Sequence, residues 1–290
     1  MRGRAAPRPI SMTVTAFAPG HITGFFEICS ADDPVRAGSR GAGLCLSRGA
    51  IAAVTPHSGG TTVTVDGAPG GPVTRDAIRM LTDRHVTVDV SLQLPQSQGF
   101  GMSAAGTLAA TLAVADLHGL PRETAVQAAH VAEVQHATGL GDVLPAAVGG
   151  VEIRETPGAS GTIHRIDTGG DVVVATVGPP LETSRVLHDA EWTSKITRVG
   201  RGCVEALLAE PSLEHLFAFS RRFAAETGLL TPRLQSVLEA VEPYGMASMC
   251  MLGNAVFAMG DTKALVDTLS RYGAVWTCGI DQRGARLLEK

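Results

Sequence analysis

The segment Leu94–Ala110, LPQSQGFGMSAAGTLAA, holds the residue types that phosphate binding needs. A strand pattern ends at Pro95, Gly99 and Gly101 follow in a short loop, and Met102, Ser103 and Ala104 open an apolar run that reads as a helix. Glycines let a backbone approach an anion closely, and the unpaired N–H groups of a first helical turn point outward with the positive end of the helix dipole behind them. Spacing alone leaves several readings open. A Walker loop is excluded, because the segment has no lysine. GxGxxA imitates a dinucleotide fingerprint, but that motif opens a βαβ unit, whereas here one helix follows another. A plain turn with Ser103 as a helix cap fits the same residues.

Other residues could complete such a site. His130 and Glu133, three apart, share a helical face with Ala129 and Ala137. Mg²⁺ asks for only one or two protein oxygens beside phosphate oxygens and water, so Ser103 and Glu133 are candidate ligands. Glu133 also suits a solvated face, and His130 a hydrogen-bonded core. Asp142 can accept or orient a hydroxyl proton, although a carboxyl near its ordinary pKa of about 3.9 is a weak base, and it equally suits a helix cap. Period-two alternation in VEIRE puts Glu152 and Arg154 opposite Val151 and Ile153, where Arg154 could take a carboxylate in bidentate fashion. Arg185 is a second candidate for that role, and both arginines also read as surface charge. His21, Ser30 and Arg40 of GSRGAG are further candidate contacts, and nothing in the spacing chooses among them.

Elements to position these groups are legible. TVTAFA predicts a strand over Thr13–Ala18, punctuated by Pro19-Gly20, and alternating β-branched residues predict strands in Thr61–Gly67 and His85–Pro95. Helices are expected at Ser103–His118, closed by Gly119, and from Pro121 to about His136. Strands follow at Gly150–Glu155 and Asp171–Gly178. Helices are then expected at Thr193–Leu208, Leu213–Thr227 and Arg233–Val241. Cys250–Gly260 reads as one strand, followed by a helix and a last strand near Ala274–Cys278. Strands and helices mix without strict alternation, which favours α+β over a doubly wound sheet.

Composition narrows the function classes. The 290 residues hold 24 Lys plus Arg against 28 Asp plus Glu, and no basic run lies beyond the first eight residues, which argues against nucleic-acid binding. Five widely spaced cysteines without zinc-type pairing suit a reducing, cytoplasmic setting. No run of about 18 apolar residues offers a membrane span, and the basic opening lacks the apolar core of a signal peptide. Residues 1–11 read as a disordered extension, and the glycines at 169–170 suggest domains of 12–168 and 169–290. Glycine is the outlier, at 34 of 290.

PxxxGxGxSAA at Pro95–Ala105 resembles the nucleotide loop of the GHMP kinases. Two further stretches agree in order: APGHITGFFE at Ala18–Glu27 is similar to the family's first motif, and TGLGD at Thr138–Asp142, with Gly149-Gly150 beyond, to the segment carrying its catalytic aspartate. The third motif, Tyr244–Gly260, is glycine-poor here. The details resemble the archaeal pantoate kinase branch: GSRGAG at Gly38–Gly43, AHVAE at Ala129–Glu133 and MLGNAVFA at Met251–Ala258. The resemblance implies a two-domain α+β fold, with a left-handed βαβ crossover in the N-terminal domain and a ferredoxin-like C-terminal domain. It implies ATP- and Mg²⁺-dependent phosphorylation of pantoate to 4-phosphopantoate in coenzyme A biosynthesis. The implied roles are nucleotide binding for Pro95, Gly99, Gly101, Met102, Ser103 and Ala104, metal binding for Ser103 and Glu133, and catalysis for Asp142, Ser103 and Glu133. His130, Arg154, Arg185, His21 and Ser30 are the expected substrate contacts. Rival expectations are a kinase acting on mevalonate, phosphomevalonate or homoserine, and an inactive metabolite sensor on the same scaffold. The Ala/Leu-rich helix surface of the second half would suit burial in a homodimer.

Overall fold

The computed structural model describes residues 12–181 and 190–289. Two long antiparallel strands, β1 (Val14–Cys29) and β2 (Gly38–Pro56), form the spine of the first sheet. β1 does not end at Ala18 as the Pro-Gly pair suggested. The pairing register shifts between Pro19 and Gly20, and again between Thr23 and Phe25, so bulges absorb the irregular residues and the strand continues. Those bulges set the section of β1 that carries His21 and Thr23.

β2 is long enough to serve two neighbours. Residues 50–56 pair with β5 (Val86–Leu92), and residues 41–44 pair with β6 (Val151–Arg154). β3 (Thr62–Val65) runs parallel to β5, β4 (Ala68–Pro69) lies outside it, β7 (Ile163–Ile166) pairs with β6, and β12 (Arg286–Leu287) returns to β1. The second sheet has the order β11-β8-β10-β9, from β8 (Asp171–Thr176), β9 (Gly245–Met249), β10 (Ala255–Gly260) and β11 (Val275–Gly279), all antiparallel. With helices between β8 and β9 and between β10 and β11, this is the βαββαβ order of a ferredoxin-like unit. The single strand expected at Cys250–Gly260 is instead the turn and second arm of a hairpin.

α1 (Pro72–Leu81) has proline at its start and buries Val73, Thr74, Ala77 and Ile78, a helix absent from the sequence reading. α2 (Met102–His118) is buried from Met102 to Ala115 except at Ser103, packed between the first sheet, α1 and α3 (Arg122–Gln135). Such all-round burial explains why alanine and leucine fill it. α4 (Val143–Val148) is a short turn after Asp142. α5 (Ala190–Ala209) and α6 (Leu213–Thr227) lie on the far end of β1, and α7 (Pro232–Val241) and α8 (Thr262–Leu269) on the second sheet. Among the described residues, no helix is long and apolar enough to cross a membrane.

Candidate active site

A cavity of about 290 Å³ lies where the glycine loop, the start of α2, the end of α3 and the 137–142 loop meet the Cys250–Asn254 turn. Gly99 and Gly101 have φ of +79° and +64°. A Cβ on Gly101 would stand 2.9 Å from the His21 carbonyl oxygen and 3.1 Å from its nitrogen, so only glycine gives both the left-handed conformation and the close approach. Gly101 is the N-cap of α2 and supplies no side-chain cap, while Ala105 N–H makes the first helical bond, to Gly101 O. The N–H groups of Met102, Ser103 and Ala104 are therefore left to an anion in the cavity. Three of the described non-glycine residues with positive φ, Ser97, Ala137 and Leu252, also line it. Backbone strain concentrates at this site.

Glu133 reaches the cavity from α3. Its Oε1 accepts from Ser103 Oγ at 2.7 Å and its Oε2 from Thr138 Oγ1 at 2.7 Å. Burial outweighs these hydrogen bonds and, with the nearby Asp142 charge, pushes its carboxyl up to about 7. Asp142 faces it across Gly139, where an added Cβ would lie 3.1 Å from Glu133 Oε2 and 3.3 Å from Asp142 Oδ2. The other oxygen of Asp142, Oδ1, accepts from His21 Nδ1 at 2.7 Å and Thr23 Oγ1 at 3.2 Å. Burial would raise Asp142, but the His21 hydrogen bond and the positive charges of His21 and Arg154 win and hold it below the usual carboxylate range. Its side chain is one quarter exposed, with Oδ2 directed to the cavity side.

Beneath Asp142 lies a chain of buried charges. The His21 ring is fully buried, and its Nε2 donates to Glu152 Oε1 at 2.9 Å. Arg154 Nη1 donates to the same oxygen at 2.7 Å. Burial would lower the His21 pKa, yet the hydrogen bonds and charges of its two carboxylate partners win and raise it, which favours the imidazolium that donating to both would require. Arg154 is 2% exposed and does not line the cavity; its guanidinium lies against Gly141, which does line it, and its Nε has no partner.

The structure thus brings together Gly99, Gly101, Met102, Ser103, Ala104, Glu133 and Asp142 around one cavity, with His21 and Arg154 directly behind. Pro95 is half-buried at the edge of the loop, outside the cavity lining. His130, expected at the substrate, is buried with Nε2 donating to Ala37 O at 2.9 Å, where it supports the start of β2 rather than the cavity wall. Ser30 is exposed at the end of β1, away from the lining. Arg185 lies outside the described residues. Sequence reasoning missed Thr23, Ser39, Thr138 and Glu152 as parts of the site. Thr23 lies within the first motif, Ser39 within GSRGAG, and Thr138 opens TGLGD, so motif position was the signal available for them; Glu152 had none as a site residue. The glycine-poor third motif still closes the site. Met251 N–H bonds Thr23 O, Gly253 packs on the Gln98 carbonyl, and Met251 and Leu252 line the cavity.

Comparison with known proteins places the chain in a family. Residues 73–150 match the GHMP kinases N terminal domain family. The chain is 34% identical to a pantoate kinase of Methanospirillum hungatei over 95% of this chain and 96% of that one. It is 31% identical to a pantoate kinase of Methanocaldococcus jannaschii over 91% and 99%. A solved structure described as a phosphotransferase related to the CoA biosynthesis pathway superposes with a TM-score of 0.86 at 29% identity, covering 96% of this chain and 99% of that one. A homoserine kinase of Cytophaga hutchinsonii superposes at 0.70 and 14% identity over 98% and 100%, a likeness of fold alone.

Proposed function

The chain belongs to the pantoate kinases, within the GHMP kinases, and on that premise we propose that it transfers the γ-phosphoryl group of ATP to the primary hydroxyl of pantoate, giving 4-phosphopantoate for coenzyme A biosynthesis. The observation that carries the reading is the convergence of the glycine loop, Ser103, Glu133 and Asp142 on one cavity. Phosphoryl transfer asks mainly for positioning and charge neutralisation. The N–H groups at the start of α2 receive the phosphates. Asp142, with Oδ1 occupied by His21 and Thr23, presents Oδ2 to orient the acceptor hydroxyl and take its proton. Its depressed pKa makes orientation the larger part of that work.

Ser103 and Glu133 fit a magnesium ion. Both offer hard oxygens, 2.7 Å apart, and no described lining residue is Lys or Arg, so the triphosphate finds no such side-chain counter-charge in the wall. Among the described residues, no group of three or more His, Cys, Asp or Glu side chains stands where it could hold a metal ion. When bound, Mg²⁺ neutralises charge on the transferring phosphates. Arg154, with an unpartnered Nε beside Gly141, is our candidate for the acceptor carboxylate.

ADP release measured with pantoate, mevalonate and homoserine side by side tests the assignment. Turnover with pantoate, at a kcat/KM well above the other two, is expected. No pantoate turnover would overturn it, and no turnover with any acceptor would favour a binding protein on the same scaffold.

A further inference from the structure

Glu152 is an ionisable residue that is fully buried, does not line the cavity and has no assigned part in the reaction. Its placement is specific. β6 pairs with β2 so that Glu152 stands opposite Gly43. A Cβ on Gly43 would lie 2.7 Å from His21 Nε2, so the missing side chain lets the His21 ring pass from β1 to reach Glu152. One oxygen, Oε1, accepts from both His21 and Arg154, while Oε2 has no partner. Burying an anion with one oxygen unsatisfied is costly, and that cost is offset only while both cations stay in contact.

His21 is tied at its other face too. Its backbone N–H bonds Phe100 O in the glycine loop, and its Nδ1 bonds Asp142. The charged or titratable groups around the ring are Asp142 before α4, Glu152 and Arg154 on β6, and the Cys45 thiol on β2, which burial holds in its neutral form.

We propose that Glu152 is a positioning residue: through one buried carboxylate oxygen it orients the His21 ring that holds Asp142 and, at the same time, the Arg154 guanidinium beside Gly141. Glu152 touches neither nucleotide nor acceptor. It fixes the spacing between the group that meets the acceptor hydroxyl and the group assigned to the acceptor carboxylate, and so acts on the acceptor half of the site only. The inference rests on the kinase reading above for its kinetic consequences, and on geometry alone for the state of His21.

Glu152→Leu and Glu152→Gln separate the possibilities. The leucine removes the acceptor at similar volume, whereas the glutamine keeps an oxygen for both donors and loses the charge. For Glu152→Leu, kcat is expected to fall about 30-fold and the acceptor KM to rise about tenfold, with the ATP KM within about twofold. Glu152→Gln is expected to recover both acceptor parameters to within about fivefold of wild type. Wild-type kinetics in the leucine variant, or an ATP KM that rises in parallel with the acceptor KM, would overturn the proposal. Should the leucine variant fail to fold, ¹⁵N-histidine NMR on wild type and Glu152→Gln decides, with the His21 signals identified by their response to Asp142→Asn. At neutral pH the wild-type ring is expected to carry protons on both nitrogens, and Glu152→Gln to lose the Nε2 proton at lower pH than wild type. Identical His21 titration in the two proteins would overturn the proposal. A wild-type chain that does not phosphorylate pantoate defeats the acceptor reading alone, because the His21 spectra need no substrate.

Discussion

The two halves of the cavity are built by opposite means. On the side proposed for the nucleotide, the wall is backbone: glycines with positive φ, the uncapped start of α2, and no lysine or arginine among the described lining residues. On the side proposed for the acceptor lies a line of alternating side-chain charges, Asp142, His21, Glu152 and Arg154, drawn from β1, β6 and the 137–142 loop. A triphosphate presents many equivalent oxygens and can be met by an array of N–H groups. One hydroxyl that must be oriented needs a carboxylate whose own orientation is fixed. Damage to the first half should therefore appear in nucleotide affinity, and damage to the second in kcat.

The sharpest way to break that division is Asp142→Asn. It should lower kcat by about 10³-fold while leaving ATP affinity by calorimetry within about twofold; a parallel loss of ATP affinity would merge the two halves. Gly101→Val should do the reverse, weakening ATP about 100-fold, because a β-branched residue tolerates neither the positive φ nor the contact with the His21 backbone.

Glu133 sits between the halves, and its sign is informative. Its folded-state pKa of about 7 lies above the ordinary 4.5, so the fold prefers the protonated form, and stability is lost as pH rises from the ordinary value through about 7. Glu133→Gln should reduce kcat about 50-fold yet stabilise the metal-free protein at pH 8 by on the order of 3 kcal/mol, with little gain at pH 4, measured by urea unfolding. Equal stabilisation at both pH values would show that the carboxylate is not held against its ionisation. If Glu133 holds Mg²⁺ as proposed, the ion must displace that proton, and the Mg²⁺ concentration for half-maximal rate should rise as pH falls below about 7. The smallest effect concerns backbone strain: Ala137→Gly, at φ +51°, should stabilise by about 0.5–1 kcal/mol with kcat within about twofold.

The same contrast governs what the sequence reveals. A backbone site is written in consecutive residues, so α2 was legible from its Ala/Leu run and the α+β class from the mixed order of strand and helix patterns, while the glycine spacing at Gly99–Ala104 left several readings open until the family resemblance chose among them. Asp142 and Glu133 were legible because TGLGD and AHVAE are local motifs. The charged relay was not, since His21 on β1 meets Glu152 and Arg154 on β6 only through the pairing of both strands with β2. His21 and Arg154 were expected at the substrate; the structure shows each tied into the relay, with the Arg154 guanidinium against Gly141 of the cavity lining. His130 has the right spacing from Glu133, but the face it shares turns its ring to the Ala37 carbonyl. The extent of β1 was hidden for a different reason: Pro19-Gly20 reads locally as a stop, and only pairing with β2 turns it into a bulge.

Both halves are assigned to a single transfer, and the product shows directly whether they perform it. Pantoate offers a primary hydroxyl on a CH₂ and a secondary hydroxyl on a CH, separated by a carbon without hydrogens. Incubation with ATP and Mg²⁺, followed by proton-coupled ³¹P NMR, should give one new phosphomonoester resonance split into a triplet by the CH₂ protons. A doublet, or no phosphorylated pantoate under conditions where mevalonate or homoserine is phosphorylated, would contradict the assignment.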